Sequence, residues 1–215
     1  MPDALIARTT SAYEYPLLIK NLLFCPVVDA PDQEIVYRDH RFSYRDLRQR
    51  VACLANALTS LGVKRGDTVA VMDWDSHRYL ECFFAVPMIG AVLHTINVRL
   101  SPEQILYTID HAEDDVLLVN SEFLPILEQI RGRMDTVKSF VLLNDEPTVP
   151  ESHIPFSGEY EALLAAASDQ FNFADFDENT RATTFYTTGT TGMPKGVYFS
   201  HRQLVLHTLG VLAVL

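Results

Sequence analysis

Residues 187–196, Thr-Thr-Gly-Thr-Thr-Gly-Met-Pro-Lys-Gly, gather the side chains best suited to holding a polyanion. Thr187, Thr188, Thr190 and Thr191 carry hydroxyls that donate to phosphate oxygens or complete the shell of a hard cation. Gly189, Gly192 and Gly196 permit positive φ and let a ligand come close to the main chain. Lys195 adds a positive charge, and successive N–H groups in such a turn form a concavity that binds anions. An apolar run at 182–186 reads as a buried strand leading into the loop, and a second apolar piece follows at 197–199. The chemistry implied is retention of the phosphates of a nucleotide. The competing reading, a plain Gly/Thr-rich turn, accounts for neither the lysine nor the flanking strand. The spacing is not that of G-x-x-x-x-G-K-[ST], because five residues after Gly189 comes Pro194, and Lys195 is followed by Gly196. That argues against the kinase and GTPase folds.

The elements that must carry this loop are legible in the apolar spacing. Residues 35–37 and Phe42 flank a turn at 38–41, the pattern of a hairpin. Ser43 reads as an N-cap with Asp46 at the capping-box position. Leu47, Val51, Leu54, Ala55, Leu58 and Leu61 form one helical stripe, closed by Gly62. Short continuous apolar runs at 68–72, 91–96, 116–119 and 140–143 predict buried strands. Between them, Leu80, Phe83, Phe84 and Met88 mark a helix that Pro87 kinks or shortens. Ser101-Pro102-Glu103-Gln104 opens a further helix, with Ile105, Leu106 and Ile109 facing inward. Residues 122–131 and 160–167 are also expected to be helical, 144–158 to be a surface loop, and 17–24 a short helix in an N-terminal arm. Ser200 caps a helix that begins at His201. This alternation implies an α/β fold, a largely parallel sheet with helices on both faces.

Hydrophobic residues make up 48% of the 215 and charged residues 21%, the balance of a globular domain with a substantial core. A net charge of −11 argues against a nucleic-acid partner, which needs clustered Lys and Arg, and against an anionic membrane surface. Cys25, Cys53 and Cys82 lie far apart, which suits buried thiols in a reducing compartment, the cytoplasm. No transmembrane segment is expected, since no run approaches the roughly 18 apolar residues of a membrane helix. Asp73 and Asp75 could suggest a metal site. With no further ligands nearby they read instead as a strand end leading to the Ser76 N-cap. His40, His77, His94, His111, His153 and His207 show no ligand spacing.

The stretch YTTGTTGMPKG at 186–196, with Ser200-His201 after it, resembles the phosphate-binding signature of the adenylate-forming (AMP-binding) enzymes. These include acyl-CoA synthetases, luciferases and peptide-synthetase adenylation domains. Thr188 stands where the signature usually has serine and keeps the hydroxyl. RFSYRDL at 41–47, the stretch 66–105 and VYFSHRQLVLHTLG at 197–210 look most like fatty-acid–CoA ligases, so the resemblance runs from about Asp32 to the end. It implies that 1–31 is an N-terminal arm and 32–215 the first part of the AMP-binding large domain. It further implies an acid–thiol ligase using ATP, Mg²⁺ and coenzyme A on a medium- or long-chain fatty acid. By the same resemblance Thr187 sits by the magnesium ion. Thr188, Gly189, Thr190, Thr191, Gly192 and Lys195 surround the phosphates, and His201 lies near the acyl carboxylate. A competing reading of His201 is a helix-start histidine in a polar network. In some members the N-terminal region pairs subunits, giving a homodimer.

Several parts of that family are absent from these residues: the adenine segment, the Thr-Glu pair of the magnesium shell, the ribose aspartate, the hinge and the C-terminal lysine. The chain also ends in an apolar run. It is therefore expected to be the N-terminal piece of a longer protein and, alone, not to complete a turnover. Two other functions compete: an aryl-acid or amino-acid adenylation domain, and a non-catalytic nucleotide-binding module.

Overall fold

The computed structural model describes residues 7, 9–146, 148, 151–188 and 192–214. Strands β1 (Glu34–Tyr37) and β2 (His40–Ser43) pair as a separate antiparallel hairpin whose turn carries Arg38 at φ 51°. Seven further strands form one sheet: β3 (Thr68–Met72), β4 (Val92–Thr95), β5 (Asp114–Asn120), β6 (Ser139–Leu143), β7 (Phe156–Glu159), β8 (Arg181–Thr187) and β9 (Lys195–Ser200). Their spatial order is β7-β6-β5-β3-β4-β8-β9. Every neighbouring pair is parallel except β8 and β9, which form an antiparallel hairpin.

Both faces of the sheet are covered, which explains why its strands are apolar without alternation. Val69, Val71, Leu93, Val116 and Leu118 belong to one core, packed with residues of α2 (Tyr44–Ser60), α3 (His77–Met88) and α6 (Tyr160–Ala166). Ala70, Met72, Leu117, Val119 and Leu142 point the other way, into a second core with α4 (Pro102–Ala112) and α5 (Leu124–Ile130). The period of two along each strand thus feeds two cores at once. Among the described residues, three helices begin with a complete capping box: Ser43 with Asp46, Ser101 with Gln104, and Ser200 with Gln203 at the head of α7 (His201–Leu212). Gly62, at φ 93°, ends α2 in the left-handed region where a Cβ would be strained.

The structure departs from the sequence expectations at definite places. The stretch 144–158 is not all loop, because β7 pairs in parallel with β6 at the sheet edge. The N-terminal helix α1 runs Lys20–Asp29, later than expected, and passes through Pro26, with Leu23 and Val27 packed on the core. The expected helix 122–131 opens with a 3-10 turn at Ser121–Phe123 and closes with another at Arg131–Arg133. Pro87 lies inside α3, which runs on to Met88 and is closed by Gly90 at φ 84°. Of the three thiols only Cys82 is buried; Cys53 is half-buried and Cys25 exposed. Asp73 is a strand-end acceptor, taking bonds from the Asn120 amide at 2.8 Å, the Trp74 N–H at 2.8 Å and the Ser76 hydroxyl. No group of three or more His, Cys, Asp or Glu suited to a metal occurs among the described residues. Nor, among them, is any helix long and apolar enough to cross a membrane.

The buried side of α3 holds charges that periodicity did not signal. Glu81 is fully buried and accepts from Arg50 Nε at 2.6 Å and from the Tyr160 hydroxyl at 2.6 Å. Arg50 also reaches Glu161 at 2.9 Å, and Arg78 bonds both Glu161 at 2.9 Å and Asp145 at 2.5 Å. Burial alone would raise the Glu161 carboxyl, but His77, Arg50 and Arg78 hold it well below the usual carboxylate range. This network ties α2, α3 and α6 together beneath the first core.

Candidate phosphate-binding hairpin

The carboxyl ends of parallel strands are where open α/β sheets place their ligands. Strand β8 runs parallel to β4, so its last residue, Thr187, emerges on that edge. The chain returns as β9 in the register Thr187↔Lys195 and Tyr186↔Gly196. Consequently the Thr187 hydroxyl and the Lys195 side chain leave from facing positions at the mouth of the hairpin. Thr187, Thr188, Gly192 and Lys195 are all exposed, while Pro194 is buried and anchors the returning limb. Gly192 has φ 111°, a conformation that side chains rarely adopt. Gly189, Thr190 and Thr191 lie outside the described residues. Of the residues the sequence singled out, the hairpin therefore brings Thr187, Thr188, Gly192 and Lys195 to one exposed edge.

Directly below, Tyr186 is buried among titratable groups. Its hydroxyl is 2.7 Å from Nδ1 of His111 on α4, and the His94 ring lies 5.2 Å from its own. Nδ1 of His94 is bonded to the Asp114 carboxylate at 2.8 Å, and both residues are fully buried. Burial raises the Asp114 carboxyl above its ordinary value, although His94 works against that shift. Burial also pushes the Tyr186 hydroxyl well above the usual phenol range, so it stays protonated. Sequence reasoning treated His94 and His111 as structural or surface residues; no spacing rule connects residues on different strands and helices.

His201 is fully buried at the first turn of α7 rather than open to the hairpin mouth. Its Nδ1 accepts from the Ile19 amide at 3.2 Å, the Phe176 ring stands edge-on at 5.0 Å, and its Nε2 has no hydrogen-bond partner. Burial lowers its pKa to about 4.

A groove of about 510 Å³ opens on the opposite side of the hairpin strands from Tyr186, lined by Phe83, Phe84, Phe185, Phe199, Leu204 and His207 among others. Phe185 and Phe199 stack across the hairpin at 5.7 Å. The sequence places Phe83 and Phe84 on the apolar face of α3; in the fold Phe83 is exposed and Phe84 half-buried, and both line this groove.

Comparison with known proteins agrees with this geometry. The chain is 45% identical over 170 residues to a long-chain-fatty-acid–CoA ligase of Thermus thermophilus, a match covering 79% of this chain and 30% of that protein. It is 41% identical over 169 residues to a medium-chain-fatty-acid–CoA ligase of Ectopseudomonas oleovorans, covering 79% and 31%. The chain thus spans about a third of the length of these relatives. Among solved structures, the anthranilate CoA ligase AuaEII in complex with anthranoyl-AMP superposes with a TM-score of 0.78 at 25% identity, covering 87% of this chain and 36% of that one. Residues 27–213 match the pattern described as AMP-binding enzyme. A match over that span, together with a Thr/Gly/Lys hairpin on the carboxyl edge of a mostly parallel sheet, means that this chain belongs to the AMP-binding enzyme family.

Proposed function

We propose that this chain supplies the polyphosphate-binding part of an ATP-dependent acyl–CoA ligase acting on a medium- or long-chain fatty acid. The observation that carries the reading is the facing pair Thr187 and Lys195 at an exposed hairpin mouth. In the proposed reaction a carboxylate oxygen attacks the α-phosphorus of ATP. The bond from that phosphorus to the bridging oxygen breaks, giving an acyl-adenylate and pyrophosphate. The thiolate of coenzyme A then attacks the acyl carbon, and AMP leaves.

The first step places charge on the β- and γ-phosphates, where preorganised donors lower the barrier most. Lys195 and the hydroxyls of Thr188, Thr190 and Thr191 take that role here, with the N–H groups around Gly189 and Gly192. The Thr187 hydroxyl is a hard oxygen donor and suits Mg²⁺, which commonly takes few protein ligands and keeps waters and substrate phosphates for the rest of its shell. When bound, the ion would neutralise phosphate charge. His201 is assigned to the acid on the family resemblance, although the ring is fully buried in this chain. The apolar groove beside Phe185 and Phe199 suits a hydrocarbon chain. The names of the two curated relatives support fatty acids over amino acids. Alone, the 215 residues are proposed not to complete the reaction.

ATP–pyrophosphate exchange by the full-length protein, with a panel of medium-chain, long-chain and aromatic acids, tests the reading. Exchange stimulated by fatty acids is the expected result. Stimulation by aromatic acids alone would reassign the substrate, and no exchange with any acid would sink the proposal.

A further inference from the structure

We infer that Tyr186, held at its hydroxyl by His111 and flanked by the His94 ring, is a positioning residue that fixes Lys195 opposite Thr187 for acid activation. This rests on the proposed role of Lys195 as a phosphate-binding group. The chain of contacts is short. Tyr186 pairs across the hairpin with Gly196, the residue next to Lys195. Because position 196 has no side chain, the Tyr186 ring lies over its backbone. A β-carbon there would stand 3.4 Å from the ring's Cε1 and Cζ. The ring is in turn set by two neighbours on different elements. His111 of α4 takes the hydroxyl at 2.7 Å, with the two rings at 86°. His94 of β4 lies tilted at 58° to it, and its own orientation is fixed by Asp114 at the start of β5.

Packing alone does not account for this arrangement. A phenylalanine would fill the same space over Gly196, so the hydroxyl and its tie to α4 are what a merely apolar role leaves unexplained. The Tyr186 hydroxyl stays protonated, and it lies within hydrogen-bond distance of Nδ1 of His111. The β8–β9 ladder and the Phe185–Phe199 stack hold the rest of the returning limb, so the Tyr186 tie matters most at the rung beside the exposed mouth. Tyr186 ties the last buried rung of that ladder to the body of the sheet.

The test uses the full-length protein carrying Tyr186→Phe, His111→Ala or His111→Asn. The asparagine amide sits where Nδ1 was and restores a partner for the hydroxyl. Hydrogen exchange of a peptide spanning 192–200 should quicken about fivefold in Tyr186→Phe and His111→Ala, the loss of one neutral hydrogen bond, and return towards wild type in His111→Asn. The kcat of pyrophosphate exchange should fall by about the same factor, with the KM for the acid unchanged. In a Lys195→Ala background neither substitution should lower kcat further, because the group being positioned is gone. Unaltered amide exchange would overturn the inference, and so would an equal loss of kcat with and without Lys195. If the wild type shows no pyrophosphate exchange, the proposed function fails by itself, and amide exchange alone decides whether Tyr186 braces the hairpin.

Discussion

Nδ1 of His201 accepts a hydrogen bond from the amide of Ile19, 182 residues earlier in the chain, at 3.2 Å. This bond pins the N-terminal arm to the first turn of α7, and it requires the imidazole to be neutral at Nδ1. Burial lowers the His201 pKa from an ordinary 6.5 to about 4. Between those values the unfolded chain binds a proton that the folded chain refuses. Stability is therefore flat above about pH 6.5 and falls as pH drops towards 4, by up to about 3 kcal/mol over the whole window. In His201→Asn the amide oxygen can still accept from Ile19 but cannot protonate. That variant should lose the His201 share of the slope, read as urea midpoints at neutral pH and near pH 4.5. An unchanged slope would show that the imidazole does not titrate this way.

Arg50 stands between Glu81 and Glu161, and the first of these carboxylates is fully buried. Removing one partner of such a pair strands the other in low dielectric, typically at about 3–5 kcal/mol. Glu81→Ala leaves Arg50 its second carboxylate, Glu161, but leaves the Tyr160 hydroxyl without its acceptor, so the loss of stability is expected at the lower end of that range. Tyr160→Phe, which deletes one donor and leaves the ion pair, should cost less. The exposed Arg133–Glu103 pair is the control, and its loss should leave the denaturation midpoint in place.

Ser101 begins α4 with a reciprocal box: its hydroxyl accepts from the Gln104 N–H at 3.3 Å, and the Gln104 side chain accepts from the Ser101 N–H at 3.3 Å. Ser101→Ala should cost about 1 kcal/mol, and Ser101→Gly only a few tenths. Equal costs for the two would mean that the hydroxyl is not the stabilising group. Because α4 also carries His111, this substitution separates helix stability from the tie to Tyr186. Stability should fall while amide exchange at 192–200 stays near wild type.

Much of this architecture is written locally. The capping boxes at Ser43, Ser101 and Ser200, the turn at Gly62 and the apolar runs of β3, β5 and β6 each depend on residues within a few positions of one another. What escaped the sequence reading depends on partners far apart. Strand β7 is short and polar, and it exists because β6 offers it an edge. The charges on α3 are buried because Arg50, Tyr160 and Glu161 arrive from α2 and α6. For the site, the loop composition named Thr187 and Lys195, yet nothing in it revealed that the two would face each other. That register is a property of the antiparallel hairpin, in a sheet whose other pairs are parallel. Tyr186 was read as the end of a buried strand, and its two histidine neighbours came from β4 and α4.

Lys195 provides the sharpest test of the site itself. It leaves the hairpin opposite Thr187 and is exposed, so substitution should not disturb the cores. A charge-assisted hydrogen bond to a phosphate oxygen contributes about 1.5–3 kcal/mol, so Lys195→Ala should slow pyrophosphate exchange roughly ten- to two-hundredfold. Lys195→Arg keeps the charge but replaces a compact ammonium with a planar fork, and should recover only part of the rate. The effect should fall on the activation step and leave the subsequent transfer from a supplied acyl-adenylate to coenzyme A nearly intact, because pyrophosphate has by then departed. Loss of both half-reactions to the same degree would mean that Lys195 supports the domain rather than the phosphates. Loss of neither would remove the hairpin from the reaction altogether.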